Sequence, residues 1–340
     1  MIVVAMIGFG NSVVRYHLPF LKHRDDIFVK YVYRRPEDRQ DPLELAREQK
    51  YPSITFTSNL DDILNDSAVD FVVINTPDAT HSYYAKKILN AGKHVLVEKP
   101  FALASKTAKA IFDLANQKNL ICYVNQNRRY DTDYLSLKAA LDSQKLGDII
   151  EIESHYHYQT PDDYGIEKRE WGWFLFSLGV HNLDQMIALF GMPDHVDYDV
   201  RSFVTVQGED TFTITLHYGL MQVKVSSSLF SKFKKPRFYV EGTQGTFIKY
   251  PQGNISKVQG DEPYTLALKQ EPETNFGKML VYENKQIVEH VIPSEITDYS
   301  QVYDDVYASI YNQQPPKVKQ AEVIKVIEII EAALKHRKQK

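Results

Sequence analysis

Short runs rich in β-branched and other apolar residues alternate with helical stretches over the first 125 positions of the chain. The runs Ile2–Ile7, Phe28–Tyr33, Phe71–Asn75, His94–Glu98 and Ile121–Asn125 predict strands. Between them, Thr80 or His81 to Asn90 and Ser105–Lys118 predict helices, the second with Ser105 as its N-cap. Strands alternating with helices demand right-handed crossovers and a parallel sheet. The expected fold class is α/β, with residues 1–125 forming an N-terminal domain on a parallel sheet.

After a predicted helix at Asp131–Ser143 the period drops to two. In Ile150–Tyr158, Ile150, Ile152, Ser154, Tyr156 and Tyr158 share one face, and Glu151, Glu153, His155 and His157 share the other. Thr211–His217 and Met221–Ser227 alternate in the same way, as antiparallel strands with one face on a core do. Strands at Arg237–Glu241 and Thr246–Tyr250 meet through Gly242-Thr243-Gln244-Gly245, a hairpin loop. Helices return at Val180–Phe190, Tyr303–Asn312 and Ala321–Lys335. The change of period sets the domain junction near residue 125 and leaves 126–340 as a second domain.

Composition narrows the chemistry. A chain of 340 residues exceeds one ordinary core, so two domains are expected. A formal net charge of -4 offers no general attraction to phosphate backbones, which argues for small-molecule partners and against nucleic acid. The single cysteine, Cys122, excludes an intrachain disulfide and fits a reducing cytoplasm. No charged leader precedes the first strand and no apolar run is long enough to cross a bilayer, so neither export nor a membrane is expected. His155, His157 and His181 raise the question of a metal, but no Cys or H-E-x-x-H pattern completes a site, and none is expected.

Gly8-Phe9-Gly10 lies where the first strand turns towards a helix, the place where absent side chains let backbone approach a pyrophosphate. Asn11 follows as a further candidate, and Val13 stands where a full fingerprint has its third glycine. The bland alternative is a structural tight turn. The second strand ends in Tyr33-Arg34-Arg35, where an NAD site places a carboxylate on the ribose. A guanidinium there pairs with a 2'-phosphate, which points to NADP in preference to NAD. The alternative is a solvated pair beside Glu37 and Asp38.

Glu98-Lys99-Pro100 adds a more specific signature, together with Thr76-Pro77 followed by His81, Ala91-Gly92-Lys93-His94-Val95, and Gly179-Val180-His181 with Asp184. On these segments nearly the whole chain resembles the Gfo/Idh/MocA oxidoreductases. Asn127-Arg128-Arg129 and Leu189-Phe190-Gly191 are similar to the subgroup containing NADP-linked scyllo-inositol dehydrogenases. The resemblance implies that residues 1–125 are an N-terminal Rossmann domain that binds the dinucleotide, followed by a C-terminal α/β domain on an open, mostly antiparallel sheet that supports a homodimer or homotetramer. It implies a cis Lys99-Pro100 bond, Lys99 near nicotinamide and substrate, and His181 as the proton-transfer residue. Cofactor contacts are carried onto Gly8, Gly10, Asn11, Arg34, Arg35, Thr76, Pro77, His81, Glu98, Lys99, Pro100 and Asn127, and substrate contacts onto Lys99, Arg128, Tyr158, Ser177 and His181. Ser177 departs from the family pattern, which has an aspartate four residues before the histidine. Asp184, one turn beyond His181, either orients it or anchors its own helix. The expected function is an NAD(P)-dependent oxidoreductase interconverting a sugar, polyol or inositol-like alcohol and its carbonyl form. A non-catalytic dinucleotide and sugar sensor is the alternative.

Overall fold

The computed structural model describes residues 1–21, 24–157, 174–203, 208–251 and 271–339. By contact, the described residues fall into two units: Met1–Asn127 joined by Asp298–Val323, and the remainder from Arg128 onward. The expected second domain, 126–340, therefore surrenders one helix near its end to the first unit.

The first unit carries β1 (Ile2–Ile7), β2 (Ile27–Tyr33), β3 (Thr55–Thr57), β4 (Phe71–Ile74), β5 (His94–Val97) and β6 (Cys122–Val124). They form a six-stranded sheet in the order β3-β2-β1-β4-β5-β6, with every pair parallel. Central strands buried on both faces need apolar side chains on both, and all four residues of β4 are fully or almost fully buried. The helices are α1 (Leu18–Leu21), α2 (Pro42–Glu48), α3 (Asp61–Leu64), α4 (His81–Asn90) and α5 (Ser105–Gln117). Ser105 is not the N-cap of α5: the chain is still extended at Ala104 (φ −142°, ψ 138°), and Ser105 is the first helical residue.

The second unit carries α6 (Thr132–Asp142), β7 (Ile149–His157), α7 (Val180–Phe190), β8 (His195–Ser202), β9 (Thr211–Tyr218), β10 (Met221–Ser228), β11 (Phe238–Gly242), β12 (Gly245–Lys249), β13 (Gly277–Glu283), β14 (Gln286–Ile292) and β15 (Lys338–Gln339). These strands form one nine-stranded sheet, β14-β13-β12-β11-β7-β10-β9-β8-β15. It is mostly antiparallel: β9 and β10 pair antiparallel, as expected of the two alternating runs, while β7 and β10 run parallel. The long path between them through α7, β8 and β9 lets β10 return in the same direction, which no hairpin would allow. The hairpin of β13 and β14 turns at Asn284 (φ 51°) and Lys285 (φ 66°), two left-handed residues of the kind a type I′ turn requires.

The core face of this sheet is Ile152, Phe212, Ile214, Leu216, Val223 and Val225, all fully buried. Against it α6 packs over β12 to β14, and α7 over β7 and β10. The opposite face carries the Glu151–Lys224 ion pair, Glu153, His155 and His157. The helix α8 (Ser300–Tyr311) belongs to the first unit, where Tyr303 lies against Phe71 of β4 with ring centroids 6.2 Å apart.

Candidate active site

β1 runs out at Ile7, and Gly8 turns the chain with φ +95° while its N–H donates to the Tyr33 carbonyl at 2.9 Å. A Cβ on Gly8 would stand 2.5 Å from the Asn75 carbonyl oxygen, so the turn admits only glycine. Gly10 meets nothing within 4 Å on the corresponding side, leaving its backbone open to a ligand. These are the two roles the dinucleotide turn assigns to its first glycines, the sharp bend and the close approach. Fully buried Val13 begins a π turn, Val13–His17, that leads into α1. A π turn widens the helix by one residue, so the segment departs from a regular helix where the third glycine would stand.

Gly8, Gly10, Arg34, Arg35, Thr76 and Pro77 line one cavity of about 530 Å³, together with Phe9, Asn75, Tyr84 and Arg47. Asn75 accepts from the Ser12 hydroxyl at 2.9 Å, while its buried Nδ2 has no partner among the described residues. An unsatisfied buried donor in a cavity of this size calls for a polar ligand, and the glycine turn and open Gly10 suit a dinucleotide phosphate. Asn11 is exposed beside this turn.

The two arginines differ sharply. Arg34 is 5% exposed, and its terminal nitrogens donate to the Glu44 carbonyl (3.2 Å), Glu48 Oε1 (2.9 Å), the Asp38 carbonyl (3.0 Å) and Glu44 Oε2 (2.7 Å). The expectation that Arg34 offers an open two-pronged fork to phosphate is corrected: its four terminal N–H groups hold the β2–α2 segment together. Arg35 is 58% exposed and makes a two-pronged contact with Asp38 at 3.0 and 2.7 Å. The hydrogen bond from Arg35 holds the Asp38 carboxyl below its ordinary range, against a smaller opposing effect of burial. Arg47, which sequence reasoning missed, lies 5.2 Å from the Phe9 ring centroid, with Arg34 at 5.3 Å from the same ring. Its helix α2 is short and largely polar, so no apolar period announced it.

Two further loops complete this end of the sheet. His81 is almost fully buried, with Nδ1 2.9 Å from the Pro100 carbonyl and Nε2 2.8 Å from the Thr76 carbonyl. It ties the Thr76-Pro77 turn to Glu98-Lys99-Pro100, and the Lys99-Pro100 peptide is cis. Burial pushes the Glu98 carboxyl upward, but hydrogen bonds and charge from His17, with help from Asn125 and Lys99, leave it below its usual range. Asn127 opens a short turn, Asn127–Tyr130, after β6.

In the second unit His181 is 3% exposed in the first turn of α7, which follows a second π turn, Leu175–Gly179, containing Ser177. Asp184 receives a two-pronged contact from Arg129 at 2.8 and 2.6 Å, so it anchors α7 to the Arg128-Arg129 segment. Arg128 donates to Asp131 at 3.1 Å and to the Tyr156 hydroxyl at 3.2 Å. Tyr158 lies outside the described residues. Asn182, which sequence reasoning also missed, is fully buried, and neither side-chain amide atom has a hydrogen-bond partner among the described residues. His155 and His157 converge on the Ser226 hydroxyl at 2.7 and 3.0 Å.

Comparison with known proteins agrees with this arrangement. Residues 2–126 match the oxidoreductase family model with an NAD-binding Rossmann fold, and residues 138–340 match its C-terminal α/β domain model. The chain is 40% identical over 339 residues to YhhX, an uncharacterized oxidoreductase of Escherichia coli (strain K12), covering 96% of this chain and 94% of that one. It is 29% identical over 351 residues to IolW, a scyllo-inositol 2-dehydrogenase (NADP(+)) of Bacillus subtilis (strain 168), covering 99% and 94%. The crystal structure of an oxidoreductase from Bacillus cereus superposes with a TM-score of 0.87 at 36% identity, covering 98% of this chain and 96% of that one.

Proposed function

The chain belongs to the Gfo/Idh/MocA oxidoreductases, and from that premise we propose that it interconverts a sugar, polyol or inositol-like alcohol and its carbonyl form with NADP(H), taken in preference to NAD(H). The observation that carries the reading is the placement of Gly8–Gly10, Thr76-Pro77 and Glu98-Lys99-Pro100 after β1, β4 and β5. Open α/β sheets bind their ligands outside such carboxyl ends of adjacent parallel strands. The dinucleotide, when bound, supplies or accepts the hydride. The chain's own part is to orient it and to manage charge. The Lys99 ammonium stabilises negative charge on the substrate oxygen, and the His181 imidazole takes or returns the hydroxyl proton. An imidazole, with an ordinary pKa near 6.5, serves in either direction.

The preference for NADP(H) is supported by Arg34-Arg35 in place of a carboxylate directly after β2 and by the exposed Arg35 on a cavity wall that Glu37, Asp38, Asp41 and Glu44 also line. The NADP-linked activity named for IolW makes scyllo-inositol and its ketone the first substrates to try. The test is a screen of inositols, polyols and ketoses against both oxidised and both reduced cofactors with purified protein. Cofactor turnover is expected. Binding of dinucleotide and sugar without turnover would overturn the reading in favour of the sensor.

We also propose that the open face of the nine-stranded sheet joins copies of the chain. Tyr282 pairs across β13 and β14 with Ile287, and Leu280 and Val291 lie nearby; these four residues are 48–71% exposed. Large apolar side chains clustered on an uncovered sheet mark an association surface. Light scattering should show a dimer or tetramer, and I287E should lower its mass.

A further inference from the structure

Four elements distant in sequence send polar side chains to one buried point in the first unit. His17 ends the π turn and is 1% exposed. Its Nδ1 lies 2.6 Å from the Tyr303 hydroxyl of α8, and its Nε2 lies 2.7 Å from Glu98 Oε1, just after β5. Asn125, just after β6, donates to the same Oε1 at 2.5 Å. The other oxygen of Glu98 accepts the backbone N–H of Lys99 at 3.2 Å. A carboxylate only accepts, so Nε2 carries a proton towards Glu98, while the Tyr303 hydroxyl, able to donate or accept, completes the contact at Nδ1.

We infer that His17 is a positioning residue of the hydride-transfer site: braced by Tyr303, it holds the Glu98 carboxylate, and through it the backbone of Lys99. This rests on the reading of Lys99 as a residue of that site. A carboxyl 13% exposed is costly to keep charged unless it is hydrogen-bonded, and His17 and Asn125 supply those bonds to Oε1. The ionisable groups facing it are His17, Lys99 and Tyr303, the last pushed well above its ordinary value by burial and then by the Glu98 charge. Removing His17 leaves burial as the dominant influence, so the Glu98 carboxyl rises. Glu98 then takes a proton more readily, and as a neutral acid it accepts the Lys99 N–H more weakly than a carboxylate does. A purely architectural role, in which His17 only ties α8 to the sheet, predicts no such change.

The experiment compares full-length wild type, H17L, H17Q and E98Q by two readouts. The first is the pH profile of kcat with NADPH and an accepted carbonyl substrate. The second is the ¹³C titration of the Glu98 carboxyl in ¹³C-glutamate-labelled protein, assigned by its loss in E98Q. In H17L the Glu98 midpoint and the acid limb of kcat should both rise by about one pH unit or more, with kcat down about tenfold and KM for NADPH within about twofold. H17Q, whose amide N–H also reaches towards Glu98, should recover most of both. Y303F should give a smaller shift of the same sign, and it serves in place of H17L if that variant does not fold. An unchanged Glu98 titration in folded H17L or Y303F, or equal losses in H17L and H17Q that track melting temperature alone, would overturn the inference. Absence of turnover in the wild type defeats the hydride-transfer reading, while the carboxyl titration still decides the role of His17.

Discussion

Arg34→Ala and Arg35→Ala should separate two jobs that adjacent arginines look equally fit to do. A charge-assisted hydrogen bond from Arg35 to a 2'-phosphate contributes about 1.5–3 kcal/mol. To make it, Arg35 must leave Asp38, an exposed pair whose loss costs under about 1 kcal/mol after solvent screening. The remaining 1–2 kcal/mol or so corresponds to a preference for NADPH over NADH of roughly 5- to 30-fold, which R35A should abolish and added salt should weaken. The R35A protein should melt within about a degree of wild type, because only exposed contacts are lost. In R34A, four hydrogen bonds disappear around Glu44 and nearly buried Glu48. Stripping one partner from a buried ion pair costs about 3–5 kcal/mol. Glu48 keeps Arg39 and Glu44 keeps Arg47, which brings the expected loss down to about 2–3 kcal/mol and a fall in Tm of roughly 5–10 °C. The assay is kcat/KM for NADPH and NADH with one accepted carbonyl substrate at fixed ionic strength, beside a melting curve. A wild-type preference for NADH, or a preference that survives R35A and vanishes in a fully stable R34A, would refute the reasoning.

Three further outcomes are expected. Lys99→Ala and His181→Ala should each lower kcat at least about a hundredfold while dinucleotide affinity, read by fluorescence titration, changes little; full activity of the double variant would remove the proposed mechanism. Ser177→Asp should change polyol turnover by restoring a carboxylate four residues before His181, and an unchanged rate in folded protein would make that departure irrelevant. Burial, then the charges of His155 and Lys235, lowers the pKa of His157 from 6.5 to about 3. Its contribution to stability is therefore complete above pH 6.5 and is lost as pH falls from there towards 3, solvent screening of the partly exposed ring making the loss smaller than for a fully buried group. His155, lowered to about 4 chiefly by burial, adds to the effect, although Glu153 at 2.9 Å from its Nε2 opposes it. Denaturant midpoints measured from pH 7.5 to pH 4 should fall less steeply in H157Q, and an equal slope would show that another group governs the loss.

The alternation of strands and helices in the first unit was legible from windows of a few residues, because β-branched runs and helical periods are local properties. Five of its six strands follow directly from them; β3, three residues long, is too short to show a period. Gly8 and Gly10 were readable for the same reason, since a turn with φ +95° excludes other residues at the first of them. The sequence motifs likewise pointed to the family, and the two matching family models cover most of the chain. What tertiary structure decided was the partnership of polar groups. Arg34 looked like a phosphate ligand until α2 brought Glu44 and Glu48 against it. Asp184 was ambiguous until Arg129, 55 residues away, closed on it. His17, Glu98, Asn125 and Tyr303 share no local pattern at all, and the parallel pairing of β7 with β10 is not written in the alternation of either strand. The physical reason is common to these cases: a short window encodes backbone preference and the face to be buried, whereas a buried donor or charge must be satisfied by whichever group the completed fold brings within reach.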